Sequence, residues 1–135
     1  MGENEITDTI IGLAIKIHRR LGPGLLESSY QECLYYELKK ACLKVEKQKP
    51  LPLIYDDVKL DVGYRIDLLV EEKIVIEIKS IEHFDRIHKF QVLTYLRLSG
   101  CKVGLLINLM SRFSRKGLHR LSITSTFVRL SAISA

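Results

Sequence analysis

The chain has 135 residues and a mass of 15.5 kDa, the size of one domain that buries roughly two-thirds of its unfolded surface without staples. Its 47% apolar and 27% charged residues match a soluble globular protein, and no apolar run reaches the roughly 18 residues of a membrane span. Three cysteines, Cys33, Cys42 and Cys101, form no CxxC pair, and their odd number argues against a secreted disulfide framework. With the acidic start MGENEITD, where a signal peptide would be basic, this sets the expectation of a single cytoplasmic domain over residues 1–135, with no membrane partner.

The net charge of +5 is unevenly spread. All sixteen Asp and Glu fall in the first 85 residues, with twelve Lys and Arg, a net of −4, whereas residues 86–135 hold nine Lys and Arg and no acid. A C-terminal third without a carboxylate suits a polyanion such as nucleic acid, although such charges can equally solvate a helix and its loops.

Along the chain, Ile6, Ile10, Leu13 and Ile17 recur at helical spacing, with Thr7 and Asp8 available as caps. Leu21-Gly22-Pro23-Gly24 stops that pattern. A second amphipathic helix, marked by Leu26, Tyr30, Cys33, Leu34 and Leu38, runs to Cys42. Residues 49–55 read as a strand, and Pro50 and Pro52 place it at a sheet edge. Asp56-Asp57 is a turn, residues 59–62 continue extended, and 64–70 and 73–79 are strands joined through Glu71-Glu72. Residues 85–98 form a third helix, ended by Gly100. The nearly all-apolar 102–109 is a strand of the kind buried on both faces. A basic loop (111–120) and a last strand (121–130) complete the order α-α-β-β-β-α-β-β, an α/β sandwich with a mixed central sheet.

The hairpin at Glu71-Glu72 sorts its own faces. A two-residue loop would pair Val70 with Lys73 and set Asp67 and Glu77 on opposite faces. A three-residue loop pairs Val70 with Ile74 and sets Asp67 opposite Glu77. In that register Ile66, Leu68, Val70, Ile74, Ile76 and Ile78 make one apolar face, and Arg65, Asp67, Leu69, Val75, Glu77 and Lys79 the other. A one-residue slip exchanges the faces, so the apolar set selects the second register.

Adjacent carboxylates repel unless a proton or a cation intervenes. Mg²⁺ binds through one or two carboxylates and keeps waters for chemistry. A lysine two residues past Glu77 on the same face can hold an attacking water or offset developing phosphate charge. On spacing alone, a structural ion pair between Lys79 and either carboxylate explains the residues as well.

Asp67…Glu77-Ile78-Lys79, on a hairpin followed by a helix, resembles the PD-(D/E)xK nuclease superfamily. Within it, Gly24-Leu25-Leu26-Glu27-Ser28-Ser29-Tyr30 resembles the signature of the GxxExxY protein family. The resemblance runs through His18-Arg19-Arg20-Leu21-Gly22-Pro23-Gly24, Gly63-Tyr64-Arg65-Ile66-Asp67 and Gln91-Val92-Leu93-Thr94-Tyr95-Leu96. Its last motif is Gly104-Leu105-Leu106-Ile107-Asn108, and the resemblance covers roughly residues 6–120. It departs from the usual pattern where Gly63-Tyr64-Arg65-Ile66 lacks a proline before the aspartate.

The resemblance implies a restriction-endonuclease-like fold and a metal-dependent nuclease that hydrolyses phosphodiester bonds, of DNA rather than RNA. It assigns Mg²⁺ or Mn²⁺ to Asp67, Glu77 and the Ile78 carbonyl, and the attacking water to Lys79. Glu27 would support the metal's waters, and Gln91 with Tyr95 would place the substrate strand or orient the lysine. Read from the residues, Glu27 is otherwise a helix-dipole partner, Tyr95 a core residue and Gln91 a solvated one. His88 shares their helix face as a weaker candidate, and His18 is read as a structural residue at a helix C-terminus.

Arg65, Arg112, Arg115, Lys116 and Arg120 are the candidate phosphate contacts. No zinc-binding spacing, Gly-rich phosphate loop or Ser-His-Asp pattern is present. The competing expectation is a non-catalytic nucleic-acid-binding or assembly module with the same fold. An edge strand or the first helix would offer a surface for a homodimer or a protein partner.

Overall fold

The computed structural model describes residues 2–82, 85–110, 118–122 and 131–133. Three helices and six strands follow in the order α1 (Glu3–Leu21), α2 (Glu27–Lys40), β1 (Val45–Tyr55), β2 (Val58–Val70), β3 (Ile74–Lys79), α3 (Arg86–Ser99), β4 (Val103–Asn108), β5 (Leu118–Ser122) and β6 (Ser131–Ile133). They form one mixed sheet ordered β1-β2-β3-β4-β5-β6 between two helical layers. This is the α/β sandwich read from the sequence. The proline-bearing β1 lies at the sheet edge as expected.

Several boundaries differ from the sequence reading. α1 begins at Glu3 rather than near Thr7, and its acidic first turn, Glu3 and Glu5, suits the positive end of the helix dipole. Thr7 is therefore a buried residue inside the helix instead of a cap. β1 starts four residues before Lys49. Residues 59–62 and 64–70 join into one long strand, with Gly63 at φ 83° absorbing the bend. Leu118 to Arg120, expected in a loop, begin β5. Of the expected strand at 121–130, Leu121 and Ser122 belong to β5 and 123–130 lie outside the described residues. The short β6 was not anticipated.

The turns follow their chemistry. Gly22 at φ 72° caps α1, its N–H donating to the His18 carbonyl at 2.8 Å, and Gly24 at φ 94° turns the chain into α2. Asp56 and Asp57, both at positive φ, make the tight hairpin turn between β1 and β2. The β2–β3 loop holds three residues, with Val70↔Ile74, Leu69↔Val75 and Leu68↔Ile76 paired, the register that the apolar face selects. β3 and β4 run parallel from Ile74↔Val103 to Lys79↔Asn108, with α3 as the crossover.

Two apolar layers result. On one face, α1 and α2 cover Leu68, Val70, Ile74, Ile76, Ile78, Val103, Leu105 and Ile107. On the other, α3 covers Leu69, Val75 and Leu106 through Val92, Leu93 and Leu96. Ile66 corrects the expected six-residue face. It is fully buried, but it packs with Leu51 and Val92 on the α3 side. The cause is a break in alternation beside it. Opposite Asp67, Gln48 takes φ 50°, between the regular pairs Lys47↔Leu68 and Lys49↔Ile66.

α3 approaches the sheet closely because β4 carries Gly104, where an added Cβ would lie 2.7 Å from Val92 Cγ1. A valine Cγ cannot swing away without moving the helix. Gly104→Ala should cost about 1–3 kcal/mol in urea unfolding, the range for overpacking. Val92→Ala in the same background should recover part of it.

Candidate active site

The polar face of the hairpin is built where β2 separates from β3. The β2–β3 ladder is regular up to Leu68↔Ile76, and at the next position a side chain replaces the backbone partner. Asp67 Oδ2 accepts the Ile78 N–H at 2.8 Å, a bond that fixes the carboxylate against the β3 backbone. Its Oδ1 accepts from Gln48 Nε2 at 3.2 Å, and the same amide donates to Gln31 Oε1 on α2 at 2.7 Å.

Glu77 lies beside Asp67, only 3% exposed. Burial disfavours its ionised form most, and the hydrogen bond and charge of Asp67 add to this. Lys79 and the Asp67 backbone N–H oppose the shift and do not cancel it, so the Glu77 carboxyl is pushed up to about 10. Glu77 thus keeps its proton at neutral pH, hydrogen-bonded to Asp67. Lys79 is half-buried at the end of the same strand. Among the described residues, no ion pair within 4.0 Å joins it to either carboxylate, so the structural ion pair is not formed here.

Glu27, exposed in the first turn of α2, accepts the Ser80 N–H at 2.9 Å and so reaches the residue after Lys79. Tyr95 is half-buried on α3. Burial, then the charges of Glu77 and Asp67, push its hydroxyl up to about 12. Gln91, one turn earlier and exposed, lines with Tyr95 a cavity of about 240 Å³. Ile78 keeps its side chain in the α1/α2 core.

The remaining candidates are less central. Arg65 is exposed on β2, opposite Pro50. Arg120 donates to Asn4 Oδ1 of α1 at 2.6 Å and pairs with Leu105, so it faces the α1 layer, away from Glu77. Arg112, Arg115 and Lys116 lie outside the described residues. His88 closes a capping box, its Nδ1 accepting the Asp85 N–H at 3.0 Å, and His18 is buried at the end of α1, both structural positions.

Three supporting residues had no role in the sequence reading. Gln48 holds Asp67 only because its backbone is left-handed, which no local motif announces. Asn108 clamps the segment after Lys79, its amide donating to the Ile81 carbonyl at 2.9 Å and its oxygen accepting the Ile81 N–H at 3.2 Å. Its position opposite Lys79 in β4 was the available signal. Tyr64 meets Tyr95 edge to face, ring centroids 6.0 Å apart.

The protonated Glu77 makes a sign-definite prediction. The unfolded chain releases this proton near the ordinary carboxylate value, whereas the metal-free fold keeps it up to about 10. Between those values the folded state binds more protons, so stability falls as pH rises. Thermal melts in chelator from about pH 5 to about pH 9 should show a falling Tm that Glu77→Gln flattens. An equal fall in both proteins would refute the retained proton.

The sequence profile of the PD-(D/E)XK nuclease superfamily matches residues 4–121, a span that runs from the first turn of α1 into β5. No curated protein and no solved structure matches the chain significantly. On that match, with Asp67, Glu77 and Lys79 on one polar face of the hairpin, the chain belongs to the PD-(D/E)XK nuclease superfamily.

Proposed function

We propose that the chain is a cytoplasmic metal-dependent nuclease of the GxxExxY family, hydrolysing phosphodiester bonds of DNA. The observation that carries this reading is the Asp67–Glu77 pair, a half-buried and a buried carboxyl held together in a sheet otherwise lined with Leu, Ile and Val. A proton currently does what a cation would do there. Asp67, Glu77 and the Ile78 carbonyl are hard oxygen donors, the set suited to Mg²⁺ or Mn²⁺. When bound, the ion supplies Lewis-acid polarisation of the phosphate and neutralises its charge.

The chain's own groups divide the remaining work. Lys79, a donor with no acceptor capacity, holds the attacking water and offsets charge on the phosphate oxygens. Glu27, fixed by the Ser80 N–H, keeps lone pairs for site waters. Tyr95 stays protonated across the neutral range, so its hydroxyl is a donor available to the substrate strand. Gln91 positions the substrate strand. Helix α3 carries Arg86, Lys89 and Arg97 and no acid, favouring the approach of a polyanion.

Calorimetry with Mn²⁺ tests the site directly. Wild type should bind with micromolar affinity, and Asp67→Ala and Glu77→Ala should each abolish binding. Lys79→Ala should retain the ion while slowing DNA cleavage about 10²- to 10⁴-fold. Because Glu77 must lose its proton, affinity should rise with pH, about tenfold per unit below its pKa. Failure of the wild type to bind Mn²⁺, with or without DNA, would overturn the catalytic reading.

A further inference from the structure

The cavity between α3 and Tyr64 of β2 has a composition that metal binding does not require. Tyr64, Ile87, Phe90, Gln91, Thr94 and Tyr95 line its roughly 240 Å³. Ile87 is 57% and Phe90 52% exposed, on a face of α3 that turns away from the apolar core, and Tyr64 of β2, 37% exposed, stands across from them. Clustered exposed apolar side chains of this size mark a contact surface. Their surroundings say what kind. The helix that carries Ile87 and Phe90 has three Lys and Arg against the single carboxylate of its N-cap Asp85, so its net charge attracts an anion. The Gln91 amide offers both a donor and an acceptor at the rim. Tyr95 links the two places, lining the cavity from α3, the helix packed on the face of β3 that carries Val75 and, by alternation, Glu77.

A nucleobase combines those requirements: a flat π-face for the aromatic walls, hydrogen-bonding edges for an amide, and a phosphate tether drawn by a basic helix. We propose that this cavity stacks one unpaired base of the strand whose phosphodiester lies at Asp67 and Glu77, making single-stranded or locally unpaired nucleic acid the substrate class. The inference rests on the nuclease reading, since the tethering phosphate is the one the carboxylates address. A base inside a duplex presents no open face to Phe90, so intact duplex binds through phosphates alone.

The test compares a fluorescent single-stranded DNA oligonucleotide with its blunt duplex, by anisotropy in chelator to prevent turnover. Wild type should prefer the single strand. Phe90→Ala should weaken single-strand binding about 5- to 100-fold, the effect of one base–aromatic stack, and change duplex binding less than about twofold. Phe90→Trp should restore single-strand affinity and Phe90→Leu should not, because stacking needs a ring. Tyr36→Ala, which removes an exposed aromatic on α2, should have no effect.

Unchanged single-strand affinity in Phe90→Ala, or equal rescue by leucine and tryptophan, would overturn the stacking site while leaving the nuclease reading intact. Rescue by leucine would mark the patch as an apolar contact for a protein. A wild type that binds neither nucleic acid, in chelator or with Mn²⁺, would overturn both.

Discussion

A carboxylic acid buried in a sheet needs a hydrogen-bond partner and either a proton or a counter-ion, and Glu77 is held under that constraint. The surrounding architecture follows from meeting it. β2 must leave β3 at Asp67 so that a side chain can reach Glu77 and the Ile78 N–H together. Gln48 must adopt a left-handed backbone to follow that departure. Ile66 is turned into the α3 layer as a consequence. Energetically, the site spends the burial of neighbouring Ile and Leu on keeping one acidic group dry. A protein selected for stability alone would place an aliphatic residue there.

The spacing Gly24-x-x-Glu27-x-x-Tyr30 divides into three physical tasks in this fold. Gly24 supplies a positive φ in the turn before α2. Glu27 ties the first turn of α2 to Ser80, at the exit of the strand that carries Glu77 and Lys79. Tyr30, buried, donates its hydroxyl to the Ala14 carbonyl at 2.9 Å and locks α2 to α1. One residue turns the chain, one reaches the site and one fixes the helix pair that presents it. The spacing is read most simply as one turn of α2 aligned on the end of β3, with Leu26 left exposed in between.

Much of this was legible before any coordinates. The hairpin register followed from alternation, because only one pairing gathers Leu68, Val70, Ile74, Ile76 and Ile78 on one face. The three helices and the central strands followed from apolar periodicity. What escaped depended on partners distant in the chain. Gln48 matters through Asp67, nineteen residues away, and Asn108 through Ile81, twenty-seven away. Val45 and Glu46 pair with Val70 and Leu69, so the start of β1 is set by a strand that the local sequence does not reveal. The cavity at Phe90 likewise looked like an ordinary helix face until β2 brought Tyr64 against it.

The prolines of β1 have a bearing on how the molecule behaves in a crowd. β1 is the outermost strand of the sheet, and its free edge would normally invite another chain to add a strand. Pro50 and Pro52 have no N–H, and edge strands tolerate proline only where that donor would point outward. Two donors are therefore missing from the free edge, next to the irregularity between Leu51 and Leu53. An incoming strand would meet a broken ladder at the middle of β1. The long β1–β2 arm can therefore project Ile54, Tyr55 and Val58 into solvent while its edge resists open-ended polymerisation.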